Sequence, residues 1–176
     1  CGANDGVNQS NTWYYEKYLN WKGILIEPLP DKFVELKKNR NIGNHFFNVA
    51  LVNNKFKGEI IELIDTGLTS KFKILNNKNQ NSNLSVQAKV KTLTKVLEES
   101  NCPKEIDFFS LDVEGAESDV LEGINFEKYT FRYLLVETEN FDKINNFLQD
   151  KKYFFLEKLS HHDYLFSKEK WKKWKF

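Results

Sequence analysis

Apolar and polar positions alternate along this chain in two rhythms. Residues 106–111 are a short apolar run closed by Asp112-Val113-Glu114-Gly115, after which Val120, Leu121 and Ile124 recur at helical spacing with Gly123 as a stop. That order predicts a buried strand, a tight turn and a helix start. Upstream, Trp13, Tyr14, Tyr18 and Leu19 predict a helix over 9–19, capped by Ser10 or Asn11, and residues 23–28 read as a short buried strand. A helix over 31–39 follows with Phe33 and Leu36 inward, then strands at 45–51, 59–64 and 86–90 and a helix over 92–100. A strand at 131–139, a helix over 141–149 and two strands at 153–159 and 163–166 close the pattern, the last two paired antiparallel around Ser160-His161-His162. Strand and helix alternating in this way predict an α/β fold: a doubly wound, mostly parallel sheet with a C-terminal antiparallel hairpin.

Cys1-Gly2-Ala3-Asn4-Asp5-Gly6 is a glycine-rich turn of the kind that follows a strand. That central strand would precede residue 1, so the first strand is expected to be missing or truncated. The chain contains no Met, which fits a fragment or a processed product. The polar stretch 76–83 reads as a loop, either a lid or a plain surface insertion. One domain over residues 1–167 is expected, followed by a basic, aromatic tail at 168–176 that either packs as a final helix or touches a polyanion or membrane surface.

The candidate chemistry lies at strand ends, where open α/β sheets collect ligands. Asp112 and Glu114 share one side of the extended chain because side chains alternate at period two. Asp112 and Glu114 are candidate catalytic residues, Asp112 as a general base or as the group that positions the acceptor; the bland alternative for Asp112 is a cap on the following helix. Glu117, in the first turn of that helix, suits the helix dipole. Glu27 follows the second strand about 20 residues after a glycine turn, the usual place for an acid that grips ribose hydroxyls. Asp112, Glu114, Glu137 and Glu139 can converge on a hard divalent cation, Asp112 and Glu137 being the leading pair. His161 can act as base or bind substrate, its ordinary pKa being near neutral.

Charge and cysteines narrow the class. With 26 Lys and Arg against 25 Asp and Glu, the formal net charge of +1 provides no field for nucleic acid. The two cysteines, Cys1 and Cys102, have no paired spacing, which disfavours a disulfide scaffold or zinc ribbon and fits a reducing, cytoplasmic compartment. No apolar run reaches the ~18 residues of a membrane span, and no signal peptide is visible. Oligomeric state is not legible in the sequence.

Four segments, taken in order, resemble the FkbM-type methyltransferases, a Rossmann-like, S-adenosylmethionine-dependent family. They are Gly2-Ala3-Asn4-Asp5-Gly6 with Ser10 and Thr12 behind it, Trp21-Lys22-Gly23-Ile24-Leu25-Ile26-Glu27-Pro28, Ser110-Leu111-Asp112-Val113-Glu114-Gly115-Ala116-Glu117, and Leu135-Val136-Glu137. The resemblance implies methyl transfer from S-adenosylmethionine to a hydroxyl, on a sugar, a polysaccharide or a secondary metabolite. It maps the cofactor loop to Gly2, Ala3, Asn4 and Gly6, the ribose acid to Glu27, the adenine edge to Pro28 and Leu29, and the rim acid to Asp112. A Gly-x-Asn-x-Gly turn disfavours a nicotinamide enzyme. A nucleic-acid methyltransferase is disfavoured because its Asn/Asp-Pro-Pro-aromatic stretch is replaced by Asp112-Val113-Glu114-Gly115. Two other readings stay open: a non-catalytic binding module on the same fold, and a nucleotide-sugar binder.

Overall fold

The computed structural model describes residues 1–64, 71–72 and 85–168. The polar stretch 76–83, and all of the tail except Lys168, lie outside the described residues. In chain order the elements are α1 (Trp13–Leu19), β1 (Ile24–Ile26), α2 (Pro30–Asn39), β2 (His45–Phe47), β3 (Ala50–Leu51), β4 (Ile60–Ile64), β5 (Lys71–Phe72), β6 (Ser85–Lys91), α3 (Leu93–Glu99), β7 (Glu105–Leu111), α4 (Glu117–Glu122), β8 (Thr130–Glu137), α5 (Phe141–Asp150), β9 (Phe154–Lys158) and β10 (Asp163–Ser167).

The strands form three hydrogen-bonded sheets, ordered β1-β2, β7-β8-β10-β9 and β3-β6-β4-β5. Three pairings are parallel and four antiparallel among the described residues, so the architecture is mixed α/β rather than mostly parallel. The reason lies in the connections. Parallel neighbours need a crossover, as α2 supplies between β1 and β2 and α4 between β7 and β8. The hairpin β9–β10 turns back directly and pairs antiparallel with β8 as well.

Three predicted elements differ in extent. The strand expected over 45–51 breaks into β2 and β3. Asn48 sits at the break and donates from Nδ2 to Glu27 O (2.8 Å) and Pro28 O (3.0 Å). The chain thus leaves β1 after Phe47 and pairs with β6 from Ala50. The first helix begins only at Trp13, because Ser10 Oγ accepts from the Trp13 amide (3.2 Å) and holds residues 9–12 in a turn. The strand expected to run to 139 stops at Glu137, where the Thr138 amide bonds His162 O (2.9 Å).

One apolar cluster unites the sheets. Ile26 of β1, Leu51 of β3, Phe109 and Leu111 of β7 and Leu134 and Val136 of β8 meet Val96 of α3, Val120 and Leu121 of α4 and Ile144 and Leu148 of α5. Burying such side chains contributes about 1.5–3 kcal/mol each. Tyr153 is fully buried beside them, and its hydroxyl accepts from the Phe131 amide (2.8 Å). A smaller cluster joins Leu29, Ala50, Ile61, Leu63 and Ala88.

No described strand lies between β1 and β7. Cys1 and Ala3 bridge them instead: the Cys1 nitrogen bonds Ser110 O (2.5 Å), the Asp112 amide bonds Cys1 O (3.4 Å), and the Ala3 amide bonds Ile26 O (3.1 Å). This bridge sets the glycine turn against the carboxyl ends of both strands. Among the described residues no helix is long and apolar enough to cross a membrane.

Candidate active site

The glycine turn is shaped by one close approach. Gly2 has φ +72°, and a Cβ placed there would stand 1.7 Å from the carbonyl oxygen of Asp112. Only glycine lets the turn lie so near the end of β7. Behind the turn, Asp5 Oδ1 accepts from the Val7 and Asn8 amides, both at 2.9 Å. Arg40, at the end of α2, closes the outer side. It is buried, donates from Nη1 to Gly6 O (3.0 Å) and pairs through Nε with Glu16 Oε2 (2.6 Å). Burial works against the Glu16 charge, but the Asn41 amide, Arg40 and Asn44 outweigh it and hold the carboxyl below its ordinary range.

Glu27 links the turn to the head of α2. Its Oε2 accepts from the Asn4 amide (2.8 Å) and its Oε1 from the Leu29 amide (2.9 Å). The side chain is buried, which raises its pKa; the Leu29 and Asn4 amides pull it part of the way back. Each carboxylate oxygen has a second lone pair, so capacity for a ligand hydroxyl remains. Nearby, Asn4 Oδ1 is buried with no hydrogen-bond partner, an acceptor that calls for a donor.

Asp112 follows β7 and is half-buried. It does not cap α4. The N-cap is Ala116, without a side-chain bond, and Glu117 Oε1 instead accepts from the Gly115 amide (2.8 Å). The turn between runs through two left-handed residues, Glu114 at φ +53° and Gly115 at φ +101°. Burial pushes the Asp112 carboxyl up, and a hydrogen bond with Glu137 restrains the rise. Glu137 is raised to about 7 by burial first, then by the charge and hydrogen bond of Asp112 and the charges of Asp163 and Glu114.

A crevice of about 110 Å³ gathers Gly2, Asn4, Glu27, Pro28, Leu29, Asp112 and Glu114. Ala3 and Gly6 fall outside its lining; Ala3 lines a second cavity of about 400 Å³ between β1 and β7, walled by Tyr15, Phe108 and Phe131. Cys1, Gly2 and Asp112 belong to both. The larger space is therefore not the one that brings the expected cofactor residues together. His161 is exposed on the β9–β10 turn and lines neither cavity.

The four rim acids do not assemble as cation ligands. Asp112 and Glu137 meet, Glu139 is exposed beyond the end of β8, and the described residues contain no group of three or more His, Cys, Asp or Glu able to hold a metal ion.

Sequence reasoning missed Arg40, Glu16, Asn48 and Lys32, the last of which lines the crevice. Arg40 left a trace: Phe33, Leu36 and Arg40 fall at i, i+3 and i+7, on one helical face. An arginine at an inward position signals a buried partner.

A family model described as the methyltransferase FkbM domain matches residues 1–165. No curated protein and no solved structure matches the chain significantly.

Proposed function

The chain belongs to the FkbM methyltransferase family, and from that premise we propose that it is an S-adenosylmethionine-dependent O-methyltransferase acting on a hydroxyl of a small molecule or glycan, a sugar hydroxyl foremost. The observation that carries this reading is the single crevice lined by the glycine turn, Glu27 and Asp112. Three points that are distant in sequence face one space.

The donor set suits a nucleoside. Glu27 retains acceptor capacity for ribose hydroxyls, the buried Asn4 Oδ1 awaits a donor, and Pro28 and Leu29 provide an apolar edge for a base. When bound, S-adenosylmethionine supplies a methyl group already activated by sulfonium charge. What remains for the protein is placement of the acceptor oxygen and removal of its proton. Placement alone can account for several kcal/mol of a barrier. Asp112 is the proton acceptor in this reading. Asp112 lines the crevice, and its raised pKa makes it a better base than a solvated aspartate. The acceptor's O–H bond breaks toward Asp112 Oδ, and the proton then passes to solvent.

Calorimetric titration with S-adenosylmethionine tests the reading. Saturable binding by the wild-type chain is expected, weakened at least tenfold in Glu27→Gln. That variant replaces one accepting oxygen by an N–H₂ group facing an amide donor. A chain that binds a sugar nucleotide but no sulfonium nucleoside would refute it.

A further inference from the structure

The residue that closes β8 has a place that the chemistry of Asp112 alone leaves unexplained. β7 and β8 keep a constant parallel register, with Phe109 beside Leu134, Ser110 beside Leu135 and Leu111 beside Val136. One residue further, the same register sets Asp112 beside Glu137. On its other flank Glu137 faces Asp163 of β10. Laterally paired residues project to the same side of a sheet. Glu137 at the end of β8 thus stands between Asp112, one residue past the end of β7, and Asp163 at the start of β10.

That register sets the Asp112 and Glu137 carboxyls side by side, where each acts on the other through its charge and through a hydrogen bond between them. Ionised carboxylates are acceptors only, so that bond requires one proton held between the two groups. Asp112 lines the crevice and Glu137 does not. Glu137 therefore acts on a ligand only through its neighbour.

Resting on the reading of Asp112 as proton acceptor, we propose that Glu137 is its positioning residue: by donating a hydrogen bond to one Asp112 oxygen, it fixes the orientation of the carboxylate that faces the crevice. The oriented state is the singly protonated pair. Full ionisation would set two like charges side by side, and the bond would be lost. Asp163 and Glu114 add negative charge around Glu137, and Asp163 acts in the same sense on Asp112. Burial first, then the charges of Asp112, Asp163 and Glu114, account for a proton on Glu137 that persists to about pH 7.

The test is a carboxyl-carbon NMR titration of the full chain. In the wild type, the Asp112 and Glu137 signals should share a step near pH 7. Glu137→Gln should lose that step yet keep a single Asp112 rotamer, because its amide N–H still donates. Glu137→Ala should lose both the step and the single rotamer, read from side-chain couplings, with the amide spectrum reporting that each variant is folded. Separate midpoints for the two carboxyls, each unmoved by substitution of the other, would overturn the pairing. Retention of the Asp112 rotamer in Glu137→Ala would overturn the positioning role. Calorimetry of the same samples with S-adenosylmethionine keeps the two failures apart. Absence of binding in the wild type removes the methyltransferase reading and the role of Glu137 with it. Binding alongside independent titrations removes the pairing alone.

Discussion

Gly2→Ala probes the contact that joins the two halves of the crevice. The new methyl group would stand 1.7 Å from the Asp112 carbonyl oxygen and 2.9 Å from its carbon, whereas Cβ contacts essentially never fall below 3.0 Å. Both atoms are backbone, so no side-chain rotation relieves the clash; turn and rim must part by about 1.3 Å. Overpacking of this kind costs about 1–3 kcal/mol. The left-handed φ of +72° adds about 1–2 kcal/mol for an L residue. A total near 3 kcal/mol lowers Tm by about 6–12 °C in a chain of this size. Displacement of Glu27 from Asp112 should also weaken S-adenosylmethionine by at least about tenfold, since a 1 Å misplacement can cost two orders of magnitude at a reacting centre. Gly115→Ala is the control. Its φ is +101°, but nothing lies within 4 Å of a Cβ there, so it carries the backbone penalty without the clash. Differential scanning calorimetry and binding titration of both variants decide the matter. Equal losses of stability in the two, with wild-type affinity in Gly2→Ala, would refute the reasoning.

Other substitutions test the supports of the site. Arg40→Met leaves Glu16 partly buried with its Asn41 and Asn44 bonds but no cation, and denaturant unfolding should show a loss of about 3 kcal/mol. Glu16 also carries an acid limb: its folded pKa is depressed, so the stability it contributes is present above the ordinary glutamate value and disappears as pH falls through the folded one. Tyr153→Phe strands the buried Phe131 amide and should cost about 1–3 kcal/mol, read as a lower Tm with unchanged S-adenosylmethionine affinity. Glu137 has the opposite sign from Glu16. Its folded pKa rises from 4.5 to about 7, so its neutral form favours the fold at low pH and that advantage is withdrawn as pH climbs through this window. Tm measured from pH 4 to pH 8 should therefore fall less in Glu137→Gln than in wild type; parallel curves would show that Glu137 ionises as it does in the unfolded chain.

The order of elements was legible in the sequence because it is local. Strand, turn and helix around Asp112 are written in the spacing of Phe109, Leu111, Val120 and Leu121, each buried as the pattern requires. Glu27 and the glycine turn were legible as a pair because their chain separation is itself a signal. Register and pairing were not legible. Nothing in residues 45–51 announces that Asn48 bonds back to Glu27 and Pro28 and splits the strand, since that bond depends on a partner some 20 residues away. The mixed sheet, the Arg40–Glu16 pair behind the turn and the meeting of Asp112 with Glu137 have the same origin. Hydrophobic periodicity says which face of an element is buried, but only packing decides what that face meets. Whether an acid at a strand end is solvated or shares a proton with a neighbour depends on the lateral register of two strands, and that is decided only in the folded chain.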